Sequence, residues 1–362
     1  MRLFVIYAGE TANSTLSYQR GWPRAFRANP GVSATFLNLA DAGIQANIKA
    51  TWALRWGRFD AIVLLHSVYS NACYLTGRWL DEVSSSKLPK ALFMGNEYKN
   101  LPEKLALARR IGVALLVTML HHPRAIADYR RRLGCAVFAL PSAGHDPELF
   151  ANSRARKDRS IDIGYRAYDA ALYLGHRERH EIASRVGSAA RARGLTCDIS
   201  LDPADRLDET QWAAFLANCV AQIGTEAGGD YLDLDDAIRL KVNSALENEP
   251  ELTFDQIQKR FFSENLGDGA GRALSGRISE AAAAGCVQIL LAGHYAGYFQ
   301  ANKHYIALAH DYSNVEECLD RLNDVGECSR IVAAAAEVAR TQLTYGALIE
   351  KFLGALRPIV AS

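Results

Sequence analysis

The chain has no C-x-x-C pair. Its seven cysteines, Cys73, Cys135, Cys197, Cys219, Cys286, Cys318 and Cys328, are odd in number and far apart, so neither a zinc knuckle nor a dithiol redox motif is indicated. Several lie in apolar runs, where cysteine behaves as a small hydrophobe, and a reducing cytoplasm is the simplest setting for them. No apolar run is long enough to span a bilayer, and the first residues, MRLFVIYAGE, lack the architecture of a signal peptide. A soluble protein is expected, with peripheral membrane contact left open. An excess of one charge is also missing: 41 Lys and Arg against 40 Asp and Glu leave a net charge of +1, which argues against a nucleic-acid partner. The loop after the first apolar run, Gly9–Gly21, contains no G-x-G-x-x-G, so no dinucleotide cofactor is expected there.

What is present reads as two globular units. At 362 residues, with 49% hydrophobic and 22% charged residues, the chain can bury two cores. In residues 1–150, short apolar runs alternate with helical patterns. The runs are Leu3–Ala8, Val32–Leu37, Ala61–Leu65, Ala91–Met94, Ala114–Thr118 and Ala136–Leu140. The helical patterns are Tyr18–Ala28, Ile44–Trp56, Tyr74–Val83, Glu103–Ile111 and Pro123–Leu133. Such alternation predicts an α/β unit, a parallel sheet covered on both faces and Rossmann-like in character. A polar, basic stretch, Asn152–Arg159, suits a linker. The alternation then resumes over 160–342, with strands at Ile161–Tyr165, Cys197–Ser200, Val220–Ile223 and Val287–Leu291.

In such sheets the working loops lie at the carboxyl ends of strands. There the first unit offers His66–Ser67, Gly95–Lys99, His121–His122 and Ser142–Asp146. Glu97 is the leading acid–base candidate, with an ion pair to Lys99 or Arg20 as the structural alternative. His66 is the second, unless it only caps its strand; His121–His122–Pro123 reads as a helix start. In the second unit, SGRISEAAAAGCVQILL (Ser275–Leu291) reads as a short helix stopped at Gly285 and followed by a buried strand. Arg277 and Glu280 share a face of that helix. A pyrophosphate near its start, with the carboxylate free for sugar hydroxyls, is one reading; a solvated ion pair is the other. Asp233–Leu234–Asp235 matches the metal-binding Asp-x-Asp pattern on paper but reads as a helix start, and no metal site is expected.

GRISEAAAAGCVQILLAGHYAG, followed by HYIALAHDYSNVEECLDRL, resembles the donor-domain signature of bacterial glycosyltransferases of the group-1 and CgeB-like (spore-protein-like) type. IDIGYR is similar to the strand that opens that domain, and GNEYKNLPEKLALARRIGVALLVT to an acceptor-domain segment. The resemblance implies a GT-B architecture, two tandem Rossmann-like domains facing a cleft, with residues 343–362 as a helix crossing back to the first domain. It implies transfer of a sugar from a nucleoside diphosphate donor to an acceptor, a glycan, lipid-linked saccharide or small molecule; with arginines able to supply counter-charge at the leaving group, neither cofactor nor metal is expected. By the same resemblance Glu280 would bind the ribose, and Arg277 and Gly276 would border the nucleotide. Gly293, Tyr295 and Gly297, in the GHYAG loop, would stand at the diphosphate and donor sugar, with Arg166 and Arg177 neutralising the diphosphate. Many relatives carry a second glutamate eight positions before the ribose-binding one; here that position is Arg272. A non-catalytic sugar-nucleotide or glycan-binding protein and a sugar-nucleotide epimerase are the alternatives on this fold.

Overall fold

The six apolar runs of the first half form one parallel sheet in the order β2-β1-β3-β4-β5-β6, in a computed structural model that describes residues 1–9, 17–40, 43–150, 154–262 and 267–361. The strands are β1 (Arg2–Tyr7), β2 (Ser33–Asn38), β3 (Ala61–Leu64), β4 (Lys90–Phe93), β5 (Val113–Thr118) and β6 (Ala136–Ala139). Because helices cover both faces, alternate residues feed two cores: Leu3, Val5, Val63 and Phe93 on one side, Phe4, Ile6, Ile62 and Leu92 on the other. The helix expected from Tyr74 begins at Gly77. A bridge between Tyr69 and Cys73 and the Cys73 Sγ bond to the Leu75 carbonyl hold the preceding residues out of helical conformation. Most of the loop after β1, and the start of the expected linker at 152–153, lie outside the described residues.

The second half forms a five-stranded parallel sheet from β7 (Ile161–Arg166), β8 (Cys197–Ser200), β9 (Cys219–Gly224), β12 (Val287–Leu291) and β13 (Ile306–Leu308), in the order β13-β12-β9-β7-β8. An antiparallel pair, β10 (Ala227–Gly228) and β11 (Arg272–Ala273), closes the neck of a long excursion. That excursion reaches the first half. Leu232, Leu234, Ala270 and Ala273 join the core containing Leu101, Leu105 and Leu120, and Leu120 bridges Ala273. The Asp236 carboxylate accepts from the Asn100 amide at 2.9 Å, and Arg239 donates to the Asn100 side chain at 3.0 Å. The excursion's first helix starts at Ala237, and the Asp233 carboxylate before it accepts from the Ile238 and Asp235 amides. Asp233 is thus a helix-start residue.

Helix Gly276–Ala283 ends as the sequence suggests, with Gly285 at φ +71°. Helix Val325–Gln342 packs on it, and the chain breaks at Leu343–Thr344, where the Thr344 hydroxyl accepts from the Ala347 amide. Helix Tyr345–Ala361 then crosses to the first sheet, placing Leu348, Phe352 and Leu356 against Val5, Phe26 and Phe93. Gly21 permits this approach, since a Cβ there would meet the Tyr345 ring at 2.1 Å.

Candidate functional site

At the carboxyl ends of β7 and β9, against helix Gly276–Ala283, lies a small cleft lined by Tyr165, Arg179, Gln222, Thr225, Arg277 and Gln288. Arg179, on helix Glu178–Ala192, is 7% exposed. Its guanidinium lies 4.5 Å from the Tyr168 ring centroid, and neither it nor Arg277 forms a carboxylate ion pair among the described residues. Burial, and then the neighbouring Arg179, push the Arg277 pKa below the usual arginine value. Arg179 Nη1, Gln222 Nε2 and Gln288 Nε2 are buried without hydrogen-bond partners. All three are donors. Buried donors left together, beside two cations without a carboxylate partner, favour a ligand rich in acceptors and negative charge.

Glu280 is buried on the same helix as Arg277, and its Oε2 accepts from Trp212 Nε1 at 2.8 Å. Trp212 stacks on Phe215, and the Arg166 guanidinium lies over the Phe215 ring, 4.6 Å from its centroid. Arg166 is engaged within the second half, donating to Asp198 Oδ1 at 2.7 Å and to the carbonyls of Tyr165 and Asp198. Gly276 meets the first half instead of open space: a Cβ there would lie 2.9 Å from Ala143. Arg177 precedes helix Glu178–Ala192 and makes a loose 3.8 Å pair with Asp169. Arg179, two residues on, turns inward. The sequence HRER offers both arginines, and only the helix start decides which one faces the cleft.

The GHYAG loop is held from inside. Glu226 accepts from the amides of His294 at 3.2 Å and Tyr295 at 2.7 Å, so the backbone donors expected at the diphosphate carry this chain's own carboxylate. Gly293 lies against that carboxylate, with a Cβ position 2.8 Å from Glu226 Oε2. Tyr295 is a core residue whose hydroxyl donates to the Leu291 carbonyl at 2.6 Å. Tyr295, Ala296 and Gly297 all have positive φ, at 46°, 55° and 78°. Arg272, where relatives of the resembled type have glutamate, donates to both Glu178 oxygens at 2.6 and 2.8 Å and to Asp230 at 3.0 Å. Burial opposes the Glu178 charge, but Arg272 holds its pKa below the usual carboxylate value.

In the first half, Glu97 is buried and spent on its own sheet. Its Oε2 accepts from the Thr118 hydroxyl at 2.6 Å and its Oε1 from the Met119 amide at 2.7 Å. Burial raises its pKa. Neither Lys99 nor Arg20 pairs with it; the nearby cation is Lys104, whose Nζ donates to the carbonyls of Gly95, Asn96 and Lys99 at 2.6, 2.9 and 2.9 Å. Burial pushes Lys104 down to about 7, against the attraction of Glu97. Together they fix the loop carrying Tyr98, whose hydroxyl meets that of Tyr168 from the other half. His66 follows β3 but is packed between Trp22 and Phe93, and burial lowers its pKa to about 3. At that value it is neutral and a weak base. His121 bonds the Met119 carbonyl, and the His122 ring caps helix Pro123–Leu133 through the Arg124 amide.

The structure places Arg277 and Glu280 on one helix and sets Arg179, Glu226, Tyr168 and Trp212 in the same region. Among the described residues no group of three or more His, Cys, Asp or Glu could hold a metal ion, and no helix is long and apolar enough to cross a membrane.

Two facing parallel sheets with a final helix returning to the first define a GT-B fold. The solved structures it is similar to are of that kind. They include sucrose-phosphate synthase from Thermosynechococcus elongatus (10% identity, TM-score 0.54, 100% of this chain and 99% of that one) and a glycosyltransferase from Rickettsia africae (8%, TM-score 0.52, 99% and 98%). A third is Anabaena Alr3699/HepE in complex with UDP and glucose (11%, TM-score 0.50, 99% and 100%). No protein-family model matches the chain, and no curated protein matches it in sequence.

Proposed function

We propose that the protein is a glycosyltransferase that binds a nucleoside diphosphate sugar in its second half and passes the sugar, a hexose or related unit, to a sugar or glycan acceptor held by the first. The observation that carries this reading is the cleft whose unsatisfied buried groups, Arg179 Nη1, Gln222 Nε2 and Gln288 Nε2, are all donors. Arg179 and Arg277 would take the diphosphate and stabilise the charge that develops on it as the leaving group. Glu280, oriented by Trp212, would accept bonds from the ribose hydroxyls. Tyr98 and Tyr168, which meet between the two halves, would border the acceptor, and Glu97 and Lys104 would hold Tyr98 there. Glu97 thereby changes from a base candidate to a positioning residue.

Binding should appear first. A true donor stabilises the folded chain by mass action, so a panel of nucleotide sugars read by thermal shift identifies the nucleotide and the sugar. Turnover is then measured with and without acceptors. A non-catalytic sugar-nucleotide binder is the second reading, favoured by Glu226 on the loop amides and by the Arg272–Glu178–Asp230 network. Stabilisation by a donor without turnover on any acceptor would select it, and donor conversion without acceptor would select an epimerase. Absence of any nucleotide effect on stability would overturn all three.

A further inference from the structure

Helix Ile44–Trp56 is apolar on two faces. Its inner face places Ala50 and Leu54 in the core over β1 and β3. Its outer face carries Ile48, Trp52 and Trp56, which are 51%, 64% and 75% exposed. Spaced four residues apart, they form one stripe along the helix, and the two indole rings lie 6.3 Å apart. Among the described residues the other large exposed hydrophobics are scattered: Tyr74 precedes helix Gly77–Ser85, Leu240 lies on helix Ala237–Asn248 and Val325 opens helix Val325–Gln342.

The helix's own charges have one sign. Residues 43–58 contain Lys49, Arg55 and Arg58 and no Asp or Glu, against a net charge of +1 for the whole chain. Arg55 is bonded to Glu82 at 3.0 Å, while Lys49 and Arg58 form no ion pair among the described residues. Tryptophan favours the boundary between apolar chains and polar headgroups, where its ring is buried and its N–H remains hydrated. A helix with a Trp/Ile face flanked by cations is suited to lie in the plane of an anionic bilayer. A two-fold contact between copies of the same stripe would instead set Lys49 and Arg58 near their own images.

We propose that the outer face of helix Ile44–Trp56 docks the protein on an anionic lipid surface, with Trp52 and Trp56 entering the headgroup layer and Lys49 and Arg58 meeting lipid phosphates. Docking here is independent of the sugar-transfer reading.

The test is co-sedimentation of the full chain with vesicles of phosphatidylcholine alone and of phosphatidylcholine mixed with phosphatidylglycerol. Wild type is expected to pellet with the mixed vesicles, less in high salt and less with the neutral ones. Trp52→Ser/Trp56→Ser should lower the partition coefficient by about tenfold or more, and Lys49→Glu/Arg58→Glu should remove the preference for anionic lipid. All these residues face solvent, and an unchanged melting temperature would verify that each variant folds. No vesicle binding by wild type would overturn the proposal, as would binding that survives the double tryptophan variant. A wild-type dimer that becomes monomeric in that variant, without vesicle binding, would assign the stripe to a second copy and equally overturn it.

Discussion

Replacing Arg179 with methionine separates a ligand-binding arginine from a structural one. Methionine keeps much of the length and apolar contact of the side chain while removing its charge. In the free protein Arg179 has no carboxylate partner among the described residues; its Nη1 is unbonded and the residue is 7% exposed. What the folded state loses is its contact with the Tyr168 ring, worth about 0.5–2 kcal/mol. Burial opposes the Arg179 charge, but Tyr168 holds its pKa above the usual arginine value, so the melting temperature should fall, by no more than that contact is worth. Binding should suffer more. One charge-assisted bond from Nη1 to a phosphate oxygen is worth about 1.5–3 kcal/mol, which lowers affinity for UDP or the matching nucleoside diphosphate about 10- to 150-fold. Titration calorimetry on the folded variant, beside a thermal melt without ligand, reads both quantities. Unchanged nucleotide affinity would refute the reasoning. A melting temperature many degrees lower with affinity intact would show that Arg179 serves the fold alone.

Glu280→Ala should weaken nucleotide binding by about 1–3 kcal/mol through lost bonds to the ribose, and Trp212→Phe, which frees the Glu280 carboxylate from its 2.8 Å partner, should do so to a smaller extent; equal affinity in both variants would remove the ribose assignment. Glu97→Gln should lower thermal stability, because an amide cannot accept from both Thr118 and Met119 through its two ends; a stable variant with impaired turnover would return Glu97 to acceptor chemistry. Turnover should persist in chelator, since Arg179 and Arg277 supply counter-charge at the leaving group; loss restored by magnesium or manganese would contradict this. Finally, His66 and His145 have folded-state pKa values pushed down by burial to about 3 and about 4, from an ordinary 6.5. The unfolded chain therefore binds protons that the folded one refuses, and stability falls as pH drops from 6.5 towards 4, by about 1.4 kcal/mol per pH unit for each histidine. His66→Gln and His145→Gln should each flatten that slope in urea melts between pH 7 and pH 5; parallel slopes would place the acid sensitivity elsewhere.

The sequence alone determined the elements and their stacking. Strands buried on both faces must be nearly continuous apolar runs, and β3 and β12 lie where such runs lie. Gly285 marks a helix end because its backbone angle demands glycine, and the placing of Arg277 and Glu280 on one helix follows from local periodicity. Contacts between distant segments were a matter for the tertiary structure. Glu97 looks available in a loop read alone, yet Thr118 and the Met119 amide, brought over by β5, occupy both its oxygens. Among the arginines of HRER, the register of one helix turns Arg179 inward and leaves Arg177 at its start. Glu226 could not be connected with the GHYAG loop from sequence, because 67 positions separate it from Gly293 and only the parallel pairing of β9 with β12 brings them together. The excursion that binds Asn100 through Asp236 was equally hidden. Local propensity reads neighbours along the chain, whereas a site is built from neighbours across it, where burial and hydrogen-bond satisfaction decide which polar groups stay free for a ligand.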